Sequence, residues 1–425
     1  MLALADSGGR NVNVALAARA FMSAARAMAG VAVPVYLATL GYGAARLGLL
    51  FAVVAISSAA ISAAVGFFAD RTGRRFFMVA VPLLTALAAV GYMVSASPLV
   101  VFGGAALGAF GRGSGAGGGN VGPYQPAEQA LVTASALPAA RTKVFGRLAF
   151  GGSLGALAGG LLVGMFGVGH PGGSGAVAAY RPLYLTIGLL AAVAGLLALF
   201  LVEPDRAPGQ VRTRQPFFPR RSAALLYRLW ITNSVNGAAM GMFGPFLTYW
   251  FFARYGAGVR SIGILFAIVN AVSMVSNLSA AGVARRFGLV KATVFLRASV
   301  AVLIVPMVLA PSFAIAGALY LLRMVANRIA MPMRQSYVMG MAAPEERAQV
   351  AALSNLPAQA SSAVTPALAG ELFEHVSLSA PFLGAGILQL ANAALYYAFF
   401  RNLAPEEERG AEAAPQSAAA AARGA

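Results

Sequence analysis

Cysteine is absent from this 425-residue chain, and histidine occurs only twice, at His170 and His375. The first absence excludes disulfides, thiolate metal sites and thiol catalysis. Both histidines fall between apolar runs, where solvation rather than proton transfer is expected. Charge is scarce as well. Asp and Glu number 13, and all charged residues make up 10% of the chain, against about 25% in an ordinary soluble domain. A chain this long with so little charge cannot cover itself with a water-compatible surface, which points to a membrane.

What is present agrees. Hydrophobic residues reach 59% and the mean hydropathy is +0.75. Apolar runs of about 20 residues, enough to cross the hydrocarbon, recur twelve times. They cover 13–40, 46–69, 76–96, 98–122, 145–168, 181–202, 223–252, 259–284, 289–309, 312–334, 350–373 and 379–400. The first run lacks a short apolar core followed by a small-residue cleavage site, so it reads as a spanning helix rather than a removable signal. The net charge of +18 would suggest nucleic acid in a soluble protein. Here it reads as basic loops against anionic lipid.

Those basic residues are unevenly placed. The connections after spans two, four, six, eight and ten carry sixteen Lys and Arg, from Arg71 to Arg347; the opposite connections carry four, Arg46, Arg181, Arg254 and Arg260. The bias puts both termini in the cytoplasm of a multi-pass protein of the cell membrane. The expected organisation is a six-helix bundle over 1–203, a basic cytoplasmic linker over 204–222, a second six-helix bundle over 223–402, and a solvated tail over 403–425.

Between two of the apolar runs charge gathers at Gly66-Phe67-Phe68-Ala69-Asp70-Arg71-Thr72-Gly73-Arg74-Arg75. An acid, three arginines and two glycines form a short turn between long apolar runs, so it must lie at a membrane surface. Parts of it recur in the second half. Gly48-Leu49-Leu50-Phe51-Ala52 returns as Gly263-Ile264-Leu265-Phe266-Ala267, and Ala69, Arg71 and Gly73 return in register as Ala284, Arg286 and Gly288. Pro126, Gln129, Pro138 and Arg141 return with identical internal spacing as Pro332, Gln335, Pro344 and Arg347, and Gly30 and Pro34 as Gly241 and Pro245. The repeat positions Gln129 and Gln335 suggest a shared structural job at helix ends. The glycine-rich run 111–119 should break or weaken span four.

The stretch Gly66–Arg75 resembles the Gly-x-x-x-Asp-Arg-x-Gly-Arg-Arg signature between helices two and three of the major facilitator superfamily (MFS), and with the repeat the resemblance covers about 13–400. It implies an all-α membrane protein, twelve transmembrane helices in two pseudo-symmetric six-helix bundles related by an axis along the membrane normal. It also implies a secondary transporter working by alternating access, with Gly66, Asp70, Arg71, Gly73, Arg74 and Arg75 as a gating motif. In that family the acid meets the start of helix eleven, here near Arg347, and locks the cytoplasmic gate. In the second copy of the motif Arg285 stands where Asp70 would be.

Spans one, four, seven and ten line the cavity of the resembling family. Arg26, Arg112 and Arg323 lie on three of them, each roughly 18–21 Å from the surface where its span begins. One reading is a cationic cavity for an anionic or carbonyl-rich solute; the other is arginines bonding backbone carbonyls freed by glycine and proline. Arg19 and Arg328, nearer the cytoplasm, suit the second reading. Asn236 is a further cavity candidate, while Asn233, Asn270, Asn277, Tyr36, Tyr249 and Trp250 suit interhelical bonds and the interfacial belt. No acid falls in the middle of an expected span. Glu128, just past span four, is expected in a helix-end ion pair with Arg141 or Arg147.

The function expected is secondary transport of a small organic molecule across the cytoplasmic membrane, most simply efflux, with protons as the candidate coupling ion and a monomer as the working unit. The alternatives are uptake or exchange of an anionic or polar solute through an arginine-lined cavity, and a non-transporting sensor or scaffold. An enzyme would need a nucleophile–base pair or metal ligands within the spans, for which the side chains are lacking. No cofactor or metal is expected.

Overall fold

The computed structural model describes residues 2–109, 111, 121–135, 141–166, 174–203, 219–276, 286, 289–343, 346, 350 and 353–401. Among the described residues the regular structure is all helical. The first half holds α1 (Leu2–Thr39), α2 (Ala44–Thr72), α3 (Arg74–Val94), α4 (Pro98–Gly108), α5 (Gln125–Ser135), α6 (Arg141–Met165) and α7 (Ser174–Ala198). The second holds α8 (Ala223–Phe243), α9 (Leu247–Tyr255), α10 (Val259–Ser276), α11 (Leu289–Val302), α12 (Ile304–Leu309), α13 (Phe313–Met341), α14 (Leu356–His375) and α15 (Ala380–Phe400).

Among the described residues, nine helical segments are long and apolar enough to cross a membrane, α11 and α12 counting as one. The other three expected spans are interrupted or more polar. Span four is not one helix over 98–122. It stops at Gly108, where Ala109 takes a left-handed conformation (φ 46°), and resumes as α5, which runs on to Ser135. Gly111 follows with φ 86° and lies so close to Val33 that a Cβ would sit 2.7 Å from its side chain. Only glycine meets both conditions without strain. Span seven divides into α8 and α9 at Gly244–Pro245, and span eleven is α14, which carries Gln359, Ser361, Ser362 and Thr365.

Proline leaves orphan carbonyls in these helices. Pro34 inside α1 has no N–H to give to the carbonyl of Gly30. The Thr248 hydroxyl of α9 donates to that carbonyl instead, at 3.2 Å. Gly241, the repeat counterpart of Gly30, packs against Ser362 and Thr365 of α14.

Within the first half α1 packs on α6 and α7, and α3 on α7. Within the second, α8 packs on α14 and α15. The halves meet along α2–α14 and α6–α10. At the first seam Gly48 abuts the Pro366 carbonyl and Gly370; at the second a Cβ on Gly263 would lie 2.8 Å from the Gly160 carbonyl. Glu374 adds a hydrogen bond, its Oε2 accepting from Ala45 N–H at 2.9 Å. Phe51 and Phe246 meet edge to face at 5.3 Å. All of these joints sit towards the end that holds the α1–α2 turn. The opposite end holds the α2–α3 turn and most of the loop arginines, and is called the basic end below.

Each half is tied together separately at the basic end. Asn11 donates to Val202 O (2.7 Å) and Ser135 Oγ (3.1 Å) and accepts from Val202 N–H (2.9 Å), joining α1, α5 and the end of α7. In the second half, the Glu346 carboxylate accepts from Arg221 N–H (3.1 Å) and Ser222 N–H (2.7 Å) ahead of α8. Partial desolvation pushes the Glu346 carboxyl up, but these hydrogen bonds and the Arg221 charge outweigh it and hold the group below its ordinary value.

Candidate functional site

An ion pair lies in the interior of the first half. Arg19 Nη1 on α1 meets Glu128 Oε2 on α5, with Glu128 fully buried and Arg19 only 8% exposed. This differs from the helix-end pair with Arg141 or Arg147 expected from sequence. Arg147 donates to Asn13 Oδ1 at 3.3 Å instead, and the Arg141 side chain lies outside the described residues. The cause is the interruption of span four. An apolar run read as one helix ends at 122, but the chain restarts at Gln125 and carries Glu128 into the interior. Glu128 Oε1 and the hydroxyl of buried Ser23 have no hydrogen-bond partner. Tyr124, one turn before Glu128, lies within the field of Glu128, Arg19 and Arg26.

Arg26 lies two turns along α1 from Arg19, on the same face. Its Nη1 donates to the Ala109 carbonyl at 3.2 Å, and its guanidinium lies against Gly122, where a side chain would collide with it. Arg26 therefore spans the interruption between α4 and α5 while remaining half-buried. Arg112 lies outside the described residues.

The second half is arranged differently. Arg323 on α13 is 1% exposed, donates from Nε to Val300 O at 3.1 Å, and lies 3.8 Å from the centre of the Phe243 ring. Val300 is among the last four residues of α11, whose carbonyls lack helical partners. Arg334, nearer the basic end of α13, donates to Asn233 Oδ1 at 2.6 Å and Asn355 Oδ1 at 3.2 Å. Asn233 in turn donates to Ser354 O at 2.6 Å. Asn236 is half-buried and accepts from Asn392 of α15 at 3.4 Å, a bond between helices.

Glu128 and Arg334 stand two residues after Pro126 and Pro332, so they are repeat counterparts. Spans one and four are bridged by Arg19–Glu128, and spans seven and ten by Asn233–Arg334. Sequence reading missed both bridges. The signal was in the repeat register, which sets an acid against a base at equivalent places.

The motif residues distribute as follows. Gly66 lies within α2 and faces open space. Asp70 and Arg71 are in the last turns of α2, with side chains outside the described residues. Gly73 turns the chain with φ 100°; Arg75 N–H donates to Glu203 Oε1 at 2.7 Å, and Arg74 donates to Ala130 O at 3.0 Å. Glu203, which sequence reading assigned to the linker boundary, thus places a carboxylate at the start of α3. A groove of about 590 Å³ at the basic end is lined by Arg74, Pro126, Gln129, Thr133 and Phe145. Pro332 and Gln335 lie in α13 with side chains outside the described residues, as does all of Arg347.

Interrupted helices with buried charge between them, in two halves that meet along glycine seams, fit a membrane transporter. The family profile described as Major Facilitator Superfamily matches residues 15–327 and again 229–423, so the chain belongs to the major facilitator superfamily of secondary transporters. No curated protein matches the sequence. Among solved structures, the nucleoside transporter NupG is similar at 16% identity and TM-score 0.69, over 92% of this chain and 99% of that one. A bacterial homolog to the human lysosomal transporter Spinster is similar at 16% and 0.69, over 92% and 96%. The POT family transporter PepTSo is similar at 10% and 0.70, over 92% and 98%. These likenesses concern the fold.

Proposed function

We propose that this chain moves a small organic molecule across the cytoplasmic membrane by alternating access, in the direction of efflux, and that the form described is open to the cytoplasm. The observation that carries the reading is that, among the described residues, the close joints between halves lie towards one end: Gly48 on Gly370, Gly263 on Gly160, and Thr248 on Gly30. The basic end carries most of the loop arginines, which supports a cytoplasmic position for it and for both termini. The gate that closes this end in the opposite state is Gly66–Arg75. In the proposed closed state Asp70 meets the start of span eleven, as the motif's acid does in the family, and Arg71, Gly73, Arg74 and Arg75 belong to the same gating turn.

Protons are the proposed coupling ion and Glu128 their carrier, because it is a fully buried carboxylate with one oxygen on Arg19 and the other without a partner. Protonation would neutralise one side of the pair and loosen spans one and four from each other. A monomer is the proposed working unit. The second reading, uptake or exchange of an anionic solute, is favoured by the second half, where Arg323 and Arg334 bond neutral acceptors.

Counterflow in proteoliposomes tests the transporter reading. Vesicles preloaded with unlabelled solute should accumulate the labelled form faster than empty ones, and a pH gradient should change the rate. Equal behaviour of loaded and empty vesicles across a broad set of solutes would favour a sensor or scaffold.

A further inference from the structure

The second half carries several arginines on its helices away from the carboxylates of Glu346, Glu371 and Glu374. Arg228, Arg297, Arg323 and Arg334 lie in its helices, and none forms an ion pair with a carboxylate among the described residues. Two of them meet the same group of helices. Arg297 on α11 lies 5.1 Å from the centre of the Tyr396 ring of α15. Arg334 on α13 bonds Asn233 of α8, one turn before Asn236, which accepts from Asn392, one turn before Tyr396. Tyr396 feels both charges. Both arginines are half-buried; like charges brought together repel, and intramembrane charges are normally paired or placed for a ligand.

The neighbouring side chains extend the same polar lining. Gln389 and Asn392 lie on the Tyr396 face of α15 at helical spacing, at 3% and 0% exposure. Gln389 Nε2 and Asn392 Oδ1 have no hydrogen-bond partner, although buried polar groups are nearly always satisfied. The cluster also has a way out. Arg334 is half-buried and bonds Asn355, which is exposed at the start of α14 towards the basic end.

We propose that Arg297 and Arg334, with Gln389 deeper on the same side, form a binding site for an oxyanion, a phosphate or carboxylate group, reached from the basic end. The guanidinium forks supply planar pairs of donors that fit such groups. A bound oxyanion would cancel the repulsion between the arginines and bring the negative charge that the interior of this half lacks. The repeat explains the asymmetry: where the first half carries its own carboxylate at Glu128, the second carries Arg334, and the anion comes from outside. The oxyanion can belong to a free solute in the cavity or to a lipid headgroup. The proposal deepens the anionic-solute reading above and rests on it for the ligand class, but its test is binding rather than transport, so either can fail alone.

The experiment uses the full chain purified in neutral detergent, with binding of inorganic phosphate followed by calorimetry and by the thermal unfolding midpoint at constant ionic strength. Wild type should bind phosphate saturably. Arg297→Gln and Arg334→Gln should each weaken binding about tenfold or more, the Lys variants less because charge remains while the fork is lost, and Arg147→Gln, at an exposed position, not at all. If a Gln variant fails to fold, the Lys variant decides the case. A second arm compares nanodiscs of phosphatidylcholine with nanodiscs containing phosphatidylglycerol. Stabilisation of wild type but not of the variants by the anionic lipid alone supports the site with a headgroup as its source. Absence of any response in both arms, or an equal response in wild type and the Arg297 and Arg334 variants, overturns the proposal.

Discussion

The hydroxyl of Thr248 donates to the carbonyl of Gly30, joining the two halves at a point where proline leaves an acceptor open. Gly30 lies four residues before Pro34, so its carbonyl has no helical donor, and Thr248 lies on α9 in the other half. Both groups are buried, and under the proposed alternating access the bond should break when this end opens. Thr248→Val keeps the shape and removes the donor. An intramolecular hydrogen bond contributes about 1 kcal/mol, so the closed population at this end should fall about fivefold relative to the open one. Accessibility of residues near the α1–α2 turn to a membrane-impermeant reagent would register the shift.

The glycines at the two seams make a stronger prediction. Gly48 and Gly263 are repeat counterparts, and each brings backbone against backbone in the other half. Gly48→Val or Gly263→Val would force the seam apart, because the obstructing atoms are main chain. Each variant should insert and fold, lose most exchange activity, and favour the state open at the α1–α2 end. Exchange at the wild-type rate by either variant would show that the seam does not need to close.

Much of this was legible in sequence, for definite physical reasons. The twelve runs, the basic bias and the repeat report lipid exposure and duplication, which leave periodic marks. Gly48 and Gly263 were found by the repeat before their contacts were known. Glu128 was misplaced because hydropathy cannot follow a helix through a left-handed turn at Ala109 and Gly111. For Arg26 and Arg323 sequence left two readings open, and the bonds to Ala109 O and Val300 O depend on side-chain directions that a sequence does not carry. Asn233 looked like an interhelical asparagine and is one; that its partner is Arg334 depended on facing directions that a single sequence does not carry.

The Arg19–Glu128 pair separates a structural role from a coupling role. Removing one partner strands a buried charge, so Arg19→Ala should cost about 3–5 kcal/mol of stability, whereas Arg19→Met with Glu128→Met should recover most of it. Folding stability of the single and double variants by denaturant titration checks this. If Glu128 carries the proton, the double variant should fold and yet exchange solute without responding to a pH gradient. A gradient response that survives in the double variant assigns coupling to another group.

At the gate, Asp70→Asn should reduce transport at least about tenfold while leaving membrane insertion and monodispersity unchanged, since a lost charge-assisted hydrogen bond typically weakens an equilibrium by that much. Vesicle uptake and size-exclusion profiles check the two halves of the statement. Unimpaired transport would reduce Asp70 to a turn residue.

The absence of cysteine makes the central claim directly measurable, because introduced cysteines at chosen sites are the only thiols to label. Spin labels at Gly41 and Val376 report the α1–α2 end, and labels at Phe67 and Leu356 report the basic end, all four at exposed positions. Pulsed dipolar distances should be compared in wild type and in Gly48→Val. Alternating access predicts opposite changes, with the Gly41–Val376 distance lengthening and the Phe67–Leu356 distance shortening in the variant. Lengthening at the first pair with no change at the second would contradict it, since the halves would then open at one end without closing at the other.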